Sequence, residues 1–148
     1  MNKTKKLAMG AICALGVALV VIVFALFHSY FDRGKFEVKE ANWSSSGRVA
    51  MIAERSDHEA LSGDVFFVLI GDHMFSPTEL RSAYYENRVI FAADADCLSV
   101  RWSNPHNLAV MCSDGSIDPS HIGVRKRQNG DVAITYVNVP DDGVSKNN

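Results

Sequence analysis

The chain has 148 residues, with 15 Lys and Arg against 17 Asp and Glu for a formal net charge of −2. Setting aside Lys3, Lys5 and Lys6 at its start leaves 12 basic against 17 acidic residues, a net −5, which excludes the basic footprint of a nucleic-acid-binding domain. Beyond the apolar start, the length suffices for one small domain with a single core.

Leu7 to Phe27 is a run of 21 residues without a charge. In a helix rising ~1.5 Å per residue it matches a hydrocarbon core of ~30 Å, so it is read as a single transmembrane anchor whose partner is the lipid bilayer. Lys3, Lys5 and Lys6 in the stub 1–6 have no acidic neighbour, which places that end in the cytoplasm. Phe27, Tyr30 and Phe31 suit the headgroup zone at the exit. A cleaved signal peptide has an apolar region of ~7 to 15 residues and a small-residue cleavage site. The bulky stretch Phe27-His28-Ser29-Tyr30-Phe31 offers no such site, so the anchor is expected to stay attached. The chain beyond the anchor then lies on the periplasmic or extracellular side of a bacterial inner membrane.

Residues 28–47 read as a stalk ending in the turn Trp43-Ser44-Ser45-Ser46-Gly47, residues 48–139 as the exported domain, and 140–148 as a disordered tail without large apolar residues. Arg48–Arg55 and Asp64–Ile70 are expected as the first two antiparallel strands, the second apolar enough to be covered on both faces. Ser76-Pro77-Thr78-Glu79-Leu80 announces a helix running to about Glu86: Ser76 and Glu79 form a capping box, Pro77 occupies the first helical position, and Phe75 with Leu80 forms a hydrophobic staple. Leu80, Ala83 and Tyr84 should face the sheet.

Another strand is expected over Arg88–Ala92, then a turn at Asp94-Ala95-Asp96. Leu98, Val100 and Trp102, with Leu108 and Val110 beyond the connection Asn104-Pro105-His106-Asn107, share one inward face of a hairpin, with Trp102 as core anchor. A three-residue loop Gln128-Asn129-Gly130 would pair Val124 with Ile134 and Ile122 with Tyr136. The fold class is α+β, a mainly antiparallel sheet of about seven strands with one short helix packed on it, preceded by the transmembrane helix.

Cys97 and Cys112 flank the hairpin. A disulfide there would close a loop for ~3 kcal/mol. The register that sets Val100 opposite Val110, however, turns Cys97 to the face opposite Cys112, so the alternatives are a disulfide with a bulge or two buried thiols. Four histidines, His58, His73, His106 and His121, lack the spacing of metal ligands, and no nucleophile-elbow, phosphate-loop or His-Glu-x-x-His motif occurs. The residues therefore call for no catalytic group, no cofactor and no metal. An enzyme would need Asp72, His73, Asp94 and His121 to converge in one pocket. Phe66 and Tyr85, one ring from each aromatic pair, together with the basic edge Arg125 and Arg127, are the candidate surface for a protein partner.

Ser45-Ser46-Gly47-Arg48-Val49-Ala50 resembles the Ser-x-x-Gly-Lys/Arg lead into a strand of propeller-blade repeats. Val100-Arg101-Trp102 followed by 104–110 is similar to a Val-x-Trp, turn, Leu-x-Val hairpin of small, uncharacterised, single-pass bacterial membrane proteins. The resemblance covers about a third of the chain; it implies a small exported β domain and carries over no functional residue, and one blade cannot close a propeller. The expected function is a membrane-anchored, non-catalytic envelope domain that binds a protein, for example a toxin in the manner of an immunity protein. An accessory subunit or sensor of an envelope complex and a small envelope hydrolase are the alternatives.

Overall fold

Residues 13–26, 34–56, 63–114 and 117–140 are described by the structure, a computed structural model. In chain order they form helix α1 (13–26) and strands β1 (Lys35–Trp43), β2 (Val49–Ser56) and β3 (Val65–Gly71). Helix α2 (Pro77–Tyr85) comes next, then β4 (Phe91–Ala93), β5 (Leu98–Asn104), β6 (Asn107–Cys112), a 3-10 turn (Pro119–His121), β7 (Ile122–Arg125), β8 (Gln128–Asn129) and β9 (Val132–Val137). The chain divides into two units, one ending at Gly34 and one beginning at Lys35.

In the first unit, α1 exposes Leu15, Leu19, Val20 and Phe24 to its surroundings. Its described length, fourteen residues, is about 21 Å at 1.5 Å per residue, and no helix among the described residues is long and apolar enough to cross a membrane. The transmembrane helix expected over 7–27 is therefore not part of the described fold. Residues 7–12 and 27 of that span, the stub 1–6 and the tail 141–148 lie outside the described residues.

The second unit is α+β and mostly antiparallel. One sheet has the order β1-β2-β3-β4-β7 and the other β5-β6-β9-β8. The nine strands among the described residues make two sheets, where about seven in one were expected. Side chains alternate across a strand, and β2 and β3 use both sets. Ala50, Ile52 and Val68 point into a core shared with Leu98, Val100, Leu108, Val110, Val132 and Ile134 of the second sheet. Val49, Met51, Ala53, Phe67 and Leu69 point the other way, into a second core under α2. This double cover is why Asp64–Ile70 reads as a continuous apolar run, as expected of a central strand.

The capping box, the Pro77 position and the buried Leu80 and Ala83 of α2 agree with the sequence reading. Other expectations need correction. Residues 35–43, assigned to the stalk, form β1, because Phe36 and Val38 supply apolar cover to the α2 core. The hairpin pairing Val124 with Ile134 does not form. A bulge at Gly123, with Ala92 opposite Val124 but Ala93 opposite Ile122, turns Ile122 and Val124 to opposite faces. Strand β7 thereby joins the first sheet, and only Gln128–Asn129 returns against β9. Strand β9 then pairs in parallel with β6, the one parallel pair among the described residues, after a crossover long enough for that geometry.

The hairpin β5–β6 has the expected register, with Val100 opposite Val110 and Leu98 opposite Cys112. Leu98, Val100, Leu108 and Val110 are buried on one face; Trp102 is only half-buried beside them. Its indole Nε1 donates to the Asn42 carbonyl at 2.9 Å, tying the second sheet to β1. The large, fully buried rings are Phe67 and Phe91 instead. Cys97 and Cys112 form a disulfide across a Cα separation of 4.9 Å. Cys97 stands just outside the ladder, where the pleat no longer fixes its direction, so the face argument against the bond does not apply to it.

Candidate functional site

Helix α2 has nine residues, about 13 Å of cover, and it leaves the β4–β7 corner of the outer face open. There Val65, Val89, Ala92 and Val124 line a trough of about 420 Å³, walled by Tyr84 and Asn87 and ending at Asp94 and His121. The helix ends at Tyr85 with Glu86 as its cap, Asn87 beyond it takes the left-handed region with φ 59°, and Lys126 Nζ donates to the Asn87 carbonyl at 2.7 Å, supplying the cation that the last turn of α2 lacks. The bulge places Gly123, which has no side chain, on the rim. The amide of Asp94 donates to the His121 carbonyl at 3.3 Å, so these two residues close the end together.

The carboxylate of Asp94 lies against Gly63, where an added Cβ would stand 3.2 Å from Oδ1. It has no cationic partner among the described residues. The floor is aliphatic and the end carries a negative charge. An arrangement of this kind suits a long side chain with an apolar stem and a positive head.

The other histidine singled out in the sequence is elsewhere. His73 Nδ1 is 2.6 Å from Asp72 Oδ1 and its Nε2 is 2.9 Å from Glu79 Oε1. Both ring nitrogens thus face carboxylates, and each contact needs an N–H, which is the imidazolium form. Hydrogen bonds to Glu79 first and Asp72 second raise the His73 pKa above its ordinary 6.5. The Ser76 amide, then His73 and the Ser76 hydroxyl, lower Glu79 to about 2. Because the two carboxylates sit on opposite edges of the ring, they cannot share one ion, and among the described residues no group of His, Cys, Asp and Glu is arranged to hold a metal.

Asp72 and His73 follow the carboxyl end of β3, whereas Asp94 follows Ala93 beside the β3 start, since Ala93 pairs with Phe66. The two ends of β3 are separated by about 20 Å at ~3.3 Å per residue. Asp72, His73, Asp94 and His121 do not converge in one pocket: Asp94 meets His121, and Asp72 meets His73. His106 joins a third group, where Asp131 binds Arg48 at 2.8 Å and His106 Nδ1 at 2.9 Å. That group links the turn after β1, the β5–β6 turn and the β8–β9 turn. Arg48 is the first cause of the lowered Asp131 pKa. His58 lies outside the described residues.

The candidate partner surface divides. Phe66 is half-buried against the core between the sheets, so it is not an outward ring. Tyr85 is 49% exposed; it meets Phe36 and Tyr84 edge-on, with the Arg55 and Arg81 guanidinium groups 5.7 and 5.8 Å from its centroid. Arg125 is half-buried, its guanidinium 4.3 Å over the Tyr136 ring and donating to the Pro140 carbonyl. Arg127 is exposed, and its carbonyl accepts from the Ile134 amide at 2.9 Å. Sequence reasoning missed the trough, whose lining residues come from four separate stretches of chain. Its one local signal is Gly123 between Ile122 and Val124, the mark of a bulge.

No protein family, no curated protein and no solved structure matches this chain.

Proposed function

We propose that the chain is an anchored bacterial envelope protein whose exported domain binds a protein partner and does no chemistry on it. The apolar run 7–27 supports an anchor in the inner membrane with the amino terminus inside. The disulfide Cys97–Cys112 supports an oxidising compartment for the domain. The observation that carries the binding role is the trough ending at Asp94, whose carboxylate has no cationic partner among the described residues. In a specific version the domain is an immunity protein, where the net −5 of the exported part speeds capture of a basic toxin. An accessory subunit or sensor of an envelope complex is the other form of the same reading.

The test is made in intact cells on the full chain. A carboxy-terminal reporter active only outside the cytosol should be active, the protein should resist alkaline extraction from membranes, and Cys97 and Cys112 should resist alkylation until reduced. Protein released by alkali, or free thiols in both positions, would refute the placement. Crosslinking in the envelope should then yield a discrete adduct. Loss of the gene should make cells sensitive to their siblings if the partner is a toxin, whereas a subunit should co-purify with resident envelope proteins.

A further inference from the structure

We propose that the trough over β4 and β7 seats one lysine or arginine side chain presented by the protein partner, its stem on the aliphatic floor and its charge at Asp94. The inference deepens the proposed binding role and rests on it. The side chains of Val65, Ala92 and Val124 give the trough an aliphatic floor, and Asp94 stands at its end, its carboxylate beside Gly63 and without a cationic partner among the described residues. At about 420 Å³ the space falls in the ~300 to 1,000 Å³ range of sites that bury a small ligand.

Alternatives fit the chemistry less well. A purely apolar group would strip water from Asp94 and leave its charge unpaired. An acidic or phosphorylated group would meet like charge at the same point. The positive charges around the trough are engaged elsewhere: Lys126 is turned onto the Asn87 carbonyl, Arg125 lies over Tyr136, and Arg55, across the strand from Val65, lies over the Tyr84 and Tyr85 rings. A basic partner is also the one complemented by the net −5 of the exported part.

Gly123 makes the site testable without damage to the core. An added Cβ there meets only the Ala92 carbonyl oxygen, at 4.0 Å, and its φ is outside the left-handed region, so a large side chain can fill the trough with the fold intact. The full chain, labelled with ¹⁵N in a neutral detergent, is titrated with the capped pentapeptide Ser-Gly-Lys-Gly-Ser and with its glutamate and norleucine counterparts. The lysine peptide should shift the Ala92, Asp94, Gly123 and Val124 amides saturably, with norleucine in place of lysine, or Asp94→Asn, weakening it about fivefold, as expected of a partly exposed ion pair. Gly123→Phe should abolish these shifts while leaving the amides of the β5–β6 hairpin in place.

Equal binding of the glutamate peptide, or undiminished binding to Gly123→Phe, overturns the assignment. A photocrosslinking residue at Gly123 in cells should capture the partner. Capture from Tyr85 or Trp43 but not from Gly123 would overturn the trough assignment while leaving the binding role standing.

Discussion

A histidine held between two carboxylates has its protonated form favoured, so its pKa is raised. At His73 the sign of the pH dependence follows directly. Its raised pKa means that its contribution to folding is complete below the ordinary 6.5 and is lost as pH rises through the raised folded-state value. Glu79 behaves oppositely: its contribution is complete above 4.5 and is lost as pH falls toward about 2. The start of α2 should therefore be most stable between about 4.5 and 6.5. In an NMR titration of the ring protons, His73 should titrate above 6.5 and move back toward it in Glu79→Gln. A His73 midpoint below 6.5 would contradict the paired geometry. Both side chains are solvated, so the effect is read as a midpoint and not as a large change in stability.

Among the elements, glycines separate turns from bulges. Gly130 closes the β8–β9 turn at φ +62°, so Gly130→Ala should cost about 1 to 2 kcal/mol in a denaturant melt, the penalty of a left-handed residue with a Cβ. Gly123→Ala, in contrast, meets no close atom and has an ordinary φ; its midpoint should stay within about 0.5 kcal/mol of the parent. The cap of α2 is equally specific. Ser76 Oγ accepts from the Glu79 amide at 3.3 Å and the Ser76 amide donates to Glu79 Oε2 at 2.8 Å. Ser76→Ala should lower stability by about 1 kcal/mol. The helix was legible because its start signals are local: cap, box, proline and staple lie within six residues. The partner of β7 was not, because a bulge reverses the face of every residue beyond it and a period-two reading has no means of seeing it.

At the scale of the whole domain, the shared apolar core, the Trp102 bond to Asn42 and the Arg48–Asp131 pair tie the two sheets together, while the disulfide closes the base of the β5–β6 hairpin within one sheet. Cys97 and Cys112 are 15 apart in sequence. Replacing both with alanine should cost about 3 kcal/mol, the loop-closure value for that length, and reduction of the parent protein should give a similar loss in the same melt. An unchanged midpoint on reduction would mean that the bond adds nothing to the hairpin. The trough belongs to this scale as well. A nine-residue helix is shorter than the sheet it covers, so Val65 and Val124 at the trough stay half-buried while Phe67 and Leu69 under the helix are fully buried.

The sequence by itself determined the period of the central strands, the start of α2, the register of β5 with β6 and the acidic balance of the part beyond residue 27. Each of these is written in neighbouring residues or in a simple count. Only the tertiary structure decided that residues 35–43 join the sheet, that β9 runs parallel to β6, and that Asp94 and His121 share an end while Asp72 and His73 lie about a strand length away. Those outcomes depend on which strand edge is free when the chain returns and on which face a bulge turns outward. They are properties of distant segments brought together, and no local pattern encodes them.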